Sequence, residues 1–69
     1  MEGAYKVIEV IGSSDKSWEA AAQNAIKSAA KTLKDLRIAE VIEMDLKIEN
    51  SNIISYRTKL KLSFKIKEE

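Results

Sequence analysis

The sequence predicts an α+β fold in the order β-α-β-β, with one long helix on a small three-stranded antiparallel sheet. Three observations carry that reading. Residues 5–11 form a β-branched run, apolar residues recur at steps of three and four across residues 18–36, and two period-two stretches flank Asn50-Ser51-Asn52. A chain of 69 residues allows one domain, residues 1–69.

The first run, YKVIEVI, is interrupted only by Lys6 and Glu9, so both its faces are largely apolar. Such a run suits a strand covered on both sides. Gly12-Ser13-Ser14-Asp15 is expected to end it, with Ser14 or Ser17 capping the helix that follows. Trp18, Ala21, Ala22, Ala25, Ile26, Ala29, Leu33 and Leu36 share one helical face, which predicts about five turns over residues 18–36. Acid stands early and lysine late, in keeping with the helix dipole. The alanine-rich stripe lets the helix lie close to its cover.

Residues 37–49 read as the next strand. Met44, Leu46 and Ile48 alternate with Glu43, Asp45, Lys47 and Glu49, and the adjacent Val41-Ile42 predicts a β-bulge. Asn50-Ser51-Asn52 is the turn, because Asn tolerates the left-handed conformation. Ile54, Tyr56, Thr58, Leu60, Leu62, Phe64 and Ile66 then keep one face. Ser55, Arg57, Lys59, Lys61, Ser63, Lys65 and Lys67 keep the other. Glu43, Asp45 and Glu49 are expected to oppose Arg57, Lys59 and Lys61 across the pair. That face is either a solvated charged surface or the lining of an assembly.

Composition narrows the function. Cysteine and histidine are both absent, which excludes disulfides, thiolate and His metal cages, and Ser-His-Asp catalysis. Twelve basic residues against eleven acidic ones give a net charge of +1, which argues against a nucleic-acid partner. The basic last strand also lacks interleaved exposed aromatics. No apolar run approaches a membrane span, and MEGAYKVIEVIG does not read as a signal peptide, so the expected location is cytoplasmic with no membrane partner. An unstapled chain this short needs self-association for stability. Nothing places two catalytic groups in a special environment, so the expectation is a protein that is not an enzyme. Tyr56 reads as structural, and Trp18 as a core or interface anchor.

YKVIEVIGSS, SWEAAAQNAI, RIAEVIEMDLKI and ISYRTKLKLSFKI, in that order and spacing, together resemble the dodecin family over nearly the whole chain. The resemblance implies a sheet wrapped partly around its helix and a hollow homododecamer. Its members bind flavins, FMN or riboflavin among them, without covalent attachment and as stores or quenchers. It also implies a flavin site, from which this chain departs. Ile38 stands where the family places a stacking Trp, immediately before Ala39-Glu40-Val41. Arg57 follows Tyr56 where the family has Gln. Of two basic phosphate-holding positions, Lys65 stays basic while the other is Asp45.

Isoleucine keeps the apolar part of a stacking contact and loses the aromatic part, which contributes roughly 0.5–1.5 kcal/mol. Arginine cannot accept a hydrogen bond from a ring N–H as glutamine does. The implied flavin site is therefore weakened. A branch of the family altered in this way is associated with calcium, a hard cation held by oxygen ligands. Glu40, Glu43, Asp45 and Glu49 supply carboxylates, with Glu43 and Asp45 the candidate metal ligands, although no single-chain loop motif is present. Two readings follow from the resemblance: a small-ligand binding and storage shell with an altered flavin site, or a flavin-free shell that binds calcium or another divalent cation.

Overall fold

A computed structural model describes residues 3–66. Lys67, assigned above to the basic face, and the first two residues of the N-terminal segment lie outside them. The elements are β1 (Tyr5–Ser14), α1 (Trp18–Ala30), β2 (Leu36–Glu49) and β3 (Asn52–Lys65). The sheet is antiparallel throughout, in the order β1-β3-β2. The predicted β-α-β-β order and α+β class are those of the structure.

The ends of β1 and α1 differ from expectation, each for a local reason. β1 does not break at Gly12 but runs to Ser14, opposite Tyr56. Gly12 is needed for proximity rather than for a turn. A Cβ there would stand 1.9 Å from the Ala21 carbonyl oxygen and 2.8 Å from the Ala25 Cβ. The helix crosses the strand at this point on its smallest residues, and Ala21 is fully buried.

Of the two candidate caps, Ser17 is the one used, its Oγ accepting from the Ala20 amide at 2.9 Å. Ser14 Oγ instead accepts from the Lys16 amide inside the connecting bend.

The helix is thirteen residues long and stops at Ala30, well short of Leu36. The Thr32 and Leu33 amides both fold back onto the Ala29 carbonyl, and Asp35 takes a left-handed φ of 61° that redirects the chain. Leu33 and Leu36 keep the apolar spacing without being helical. Leu36 opens β2 and packs against the core from the sheet.

The hairpin matches its sequence signals closely. Asn50 and Ser51 have φ of 51° and 65°, the two positive values that a two-residue hairpin loop requires, and Glu49 faces Asn52. Glu49 is therefore spent at the turn and does not reach the basic row, contrary to expectation. The predicted bulge is present: Val41 opposes Leu60 and Glu43 opposes Lys59, leaving Ile42 as the extra residue. This slip brings Val41 and Met44 onto one face. It also aligns Glu40, Glu43 and Asp45 on the other, opposite Lys61, Lys59 and Arg57. Further irregularities fall at Arg37, between Leu36 and Ile38, and between Lys47 and Ile48.

The core lies between α1 and the middle of the sheet. Leu60, Leu62 and Ala25 are its buried centre, with Ile8, Val10, Ala22, Ile26, Ala29 and Leu36 around them. Thr58 is buried among these and spends its hydroxyl on the Trp18 carbonyl at 2.9 Å. The helix packs on β1 and β3 and scarcely meets β2.

The hairpin consequently projects beyond its cover. The chain measures 53 × 20 × 13 Å, and its radius of gyration is 14.3 Å against about 11 Å for a compact chain of this length. Met44, Ile48 and Ile53 on the projecting part are each more than half exposed. β1 likewise has one covered face only: Ile8 and Val10 lie under the helix, while Val7 and Ile11 stay open. Within one chain, then, the second cover expected for β1 is missing.

Candidate functional site

The face of the sheet opposite the helix carries the charged residues, and strand register sets their order. Across β1, β3 and β2 the rows read Val7-Ser63-Ile38, Glu9-Lys61-Glu40, Ile11-Lys59-Glu43 and Ser13-Arg57-Asp45. A basic central strand is thus flanked by acids from both neighbours, the arrangement that stabilises antiparallel pairs.

Two contacts organise this face. Arg57 Nε donates to Asp45 Oδ1 and Arg57 Nη2 to Asp45 Oδ2, both at 2.7 Å, a fork-on-carboxylate geometry. Lys59 Nζ sits 3.7 Å from Glu9 Oε1 and 3.9 Å from Glu43 Oε1, so one ammonium ties all three strands. The hydrogen bonds from Arg57 hold the Asp45 carboxyl below its usual range, partial desolvation opposing them and the guanidinium charge adding to them. The same bonds raise Arg57. Both side chains stay about half exposed, so this is a surface pair with good geometry, not a buried one.

Two hollows open on this face. One, of about 190 Å³, is lined by Ile11, Glu43, Asp45, Arg57 and Lys59. The other, of about 500 Å³, is lined by Val7, Ile38, Glu40, Lys61 and Ser63. The positions singled out in the sequence divide between them. Asp45, Arg57 and Glu43 line the first, Ile38 lies in the second, and Lys65 lines neither, lying farther along β3 opposite Tyr5. Arg57 and Ser63, the partner of Ile38, are six positions apart along β3, which is about 20 Å of strand. One chain therefore does not bring Ile38 and Arg57 to a common ligand. Among the described residues no three His, Cys, Asp or Glu side chains are grouped to hold a metal ion. Glu43 and Asp45 are two residues apart on one face, each beside a cation.

Sequence reasoning did not assign Glu9 to this face or give Lys59 its three-strand role, because β1 register cannot be read from composition. Trp18 stands under the first hollow, on the helix side. Its ring meets Tyr56 edge-on, with centroids 5.3 Å apart and planes at 81°. Its indole N–H donates to the Asp45 carbonyl at 3.0 Å. The anchor role expected of Trp18 and the structural role of Tyr56 are both visible in this contact.

A strand, a helix packed on small residues and a long bulged hairpin, with apolar surface uncovered within one chain, define a small α+β module of β-α-β-β order. The dodecin family model matches residues 4–67, and the chain belongs to the dodecin family. Among curated relatives, the calcium dodecin of Mycobacterium tuberculosis is 46% identical over 91% of this chain and 89% of its own length. The dodecin of Thermus thermophilus is 35% identical over 99% of each. Among solved structures, a dodecin from Streptomyces davaonensis superposes with a TM-score of 0.93 at 26% identity, covering 99% of this chain and 100% of that one. The crystal structure of the M. tuberculosis calcium dodecin, described as having a novel calcium-binding site, superposes with a TM-score of 0.84. It is 45% identical, covering 93% of this chain and 91% of that one.

Proposed function

We propose that the 69 residues act as a single unit that assembles into a hollow homododecamer, a non-enzymatic shell that binds a divalent cation, with calcium the cation to test. The observation that carries this reading is the Arg57–Asp45 pair. Those are two of the positions where the resemblance implies a flavin site, and here they neutralise each other. Neither offers the amide edge or the base that a flavin nucleotide would need there. The likeness to a calcium dodecin points the same way.

Calcium takes six to eight oxygen ligands, more than Glu43 and Asp45 supply in one chain, and Asp45 serves as one only when the cation displaces Arg57 from its two oxygens. The site is complete only where chains meet, and the projecting hairpin and the open face of β1 are the surfaces that other chains would cover. In this reading the shell is a cytoplasmic store or buffer; no described helix is long and apolar enough to cross a membrane.

A second reading rests on the larger hollow, where Val7 and Ile38 give apolar walls beside Lys61 and Glu40. A planar ligand such as riboflavin or FMN would bind there weakly, without an aromatic partner.

The test combines a melting series in calcium with absorption spectra after incubation with riboflavin and FMN. The proposal expects the melting temperature to rise with calcium concentration and fall back with chelator. It also expects flavin spectra close to those of free flavin. A melting temperature indifferent to calcium, or a tight yellow complex, would overturn it.

A further inference from the structure

The charged pair on the open face and the aromatic contact on the helix face share the same backbone. Asp45 and Arg57 are register partners whose side chains meet on the open face at 2.7 Å. From the other face, the Trp18 indole N–H holds the carbonyl of Asp45 itself, at 3.0 Å. The Trp18 ring leans edge-on against Tyr56, the residue before Arg57, and the Trp18 carbonyl accepts from Thr58, the residue after it. Trp18 thus touches the β2 residue of the ion pair and both neighbours of the β3 residue. The rest of the helix scarcely meets β2, and among the described residues the indole makes the one side-chain hydrogen bond from α1 to that strand.

We propose that Trp18 is a positioning residue for the Arg57–Asp45 pair, fixing β2 against β3 from beneath and so coupling the helix N-terminus to the charged hollow on the opposite face. Backbone held at Asp45 and at residues 56–58 leaves the two-point guanidinium–carboxylate fork one geometry to adopt. Freed from the indole, β2 is held at this level by its ladder and surface ion pairs with β3 alone, with nothing from the helix, and beyond it the hairpin has no cover. The coupling runs both ways, as linkage requires: what disturbs the pair is felt at Trp18, and the reverse. A ligand that displaces Arg57 from Asp45 would therefore change the emission of the only tryptophan in the chain.

The experiment uses the full assembled chain, labelled with ¹⁵N at arginine and tryptophan, far below its melting temperature. Trp18→Phe keeps an aromatic ring on Tyr56 and removes the N–H. The expected result is loss of protection, or loss of the resonance, for the Arg57 Nε–H. In the reverse arm, Asp45→Asn keeps the backbone carbonyl and breaks the charged fork. There the Trp18 indole N–H should exchange faster and the emission maximum should shift. A packing role alone would lower the melting temperature of Trp18→Phe and leave the Arg57 signal as it was. That outcome, together with an unchanged indole in Asp45→Asn, overturns the proposal. Should Trp18→Phe fail to fold, the Asp45→Asn arm decides by itself. Neither arm contains calcium or flavin, so the result is independent of what the shell binds.

Discussion

Arg57 grips Asp45 with two nitrogens at 2.7 Å, and in doing so joins the last acid and base of the three charged rows into one neutral unit. Either residue alone would be a binding group, one for an anion and the other for a cation. Paired, they define a strut between β2 and β3 on the face away from the helix. A ligand for either residue must displace the other from it.

Acid should loosen this strut in a defined window. Asp45 has a folded-state pKa below its unfolded value because of the bonds from Arg57. The stability it contributes is therefore fully present above the unfolded value, near 3.9, and is lost as pH falls through the lower folded value. Melting temperatures measured from pH 6 downward should fall in that range in the native chain. The fall should be shallower in Asp45→Asn, which has no such group to protonate. Parallel acid profiles for the two proteins would remove Asp45 from the account.

Flavin affinity should be low in the native chain and rise in Ile38→Trp combined with Arg57→Gln. The first change restores an aromatic surface, contributing about 0.5–1.5 kcal/mol per stacked pair, and the second restores an amide edge. Quenching of riboflavin and FMN fluorescence reads the effect. A tight native complex, or no gain in the double variant, would show that Ile38 and Arg57 do not occupy the flavin positions that the resemblance implies.

Gly12→Ala should lower stability by about 1–3 kcal/mol or more, because a methyl group placed 1.9 Å from the Ala21 carbonyl oxygen must push the helix off the strand. The backbone of Gly12 is otherwise ordinary, with no positive φ to penalise alanine. Thermal melts at fixed protein concentration measure the loss. Unchanged stability would mean that the helix slides over β1 freely.

Much of this was legible beforehand, and the failures share a cause. Alternation in β3 from Tyr56 onward and the Val41-Ile42 bulge are local patterns found where the sequence puts them. The Asn50-Ser51-Asn52 turn is found shortened by Asn52, which opens β3, while the register slips at Ile54. Leu33 and Leu36 prolonged a helical spacing that the chain abandons at Ala30, because the Asp35 turn, which periodicity cannot register, redirects it. Gly12 illustrates a related point: a glycine that ends a strand and one that admits a helix look alike in sequence, and only the Ala21 carbonyl tells them apart. In the site, the acidic and basic rows were foreseeable, but the partners were not. Asp45 with Arg57 and Glu43 with Lys59 follow from register after the bulge, whereas Glu49 drops out at the turn.

The mass of the assembly should be near 94 kDa, twelve times the 7.8 kDa chain. The exposed Val7 and Ile11 of β1 and the uncovered hairpin need partners that a single chain lacks. Light scattering at micromolar concentration checks this. A stable monomer or dimer would contradict it.

Calorimetric titration of calcium into the assembled native chain, with Asp45→Asn alongside, tests the central claim most directly. The account predicts saturable binding by the native protein and its loss in the variant, with assembly mass and helix content unchanged in both. No binding heat with the native assembly, or equal binding by Asp45→Asn, would contradict it.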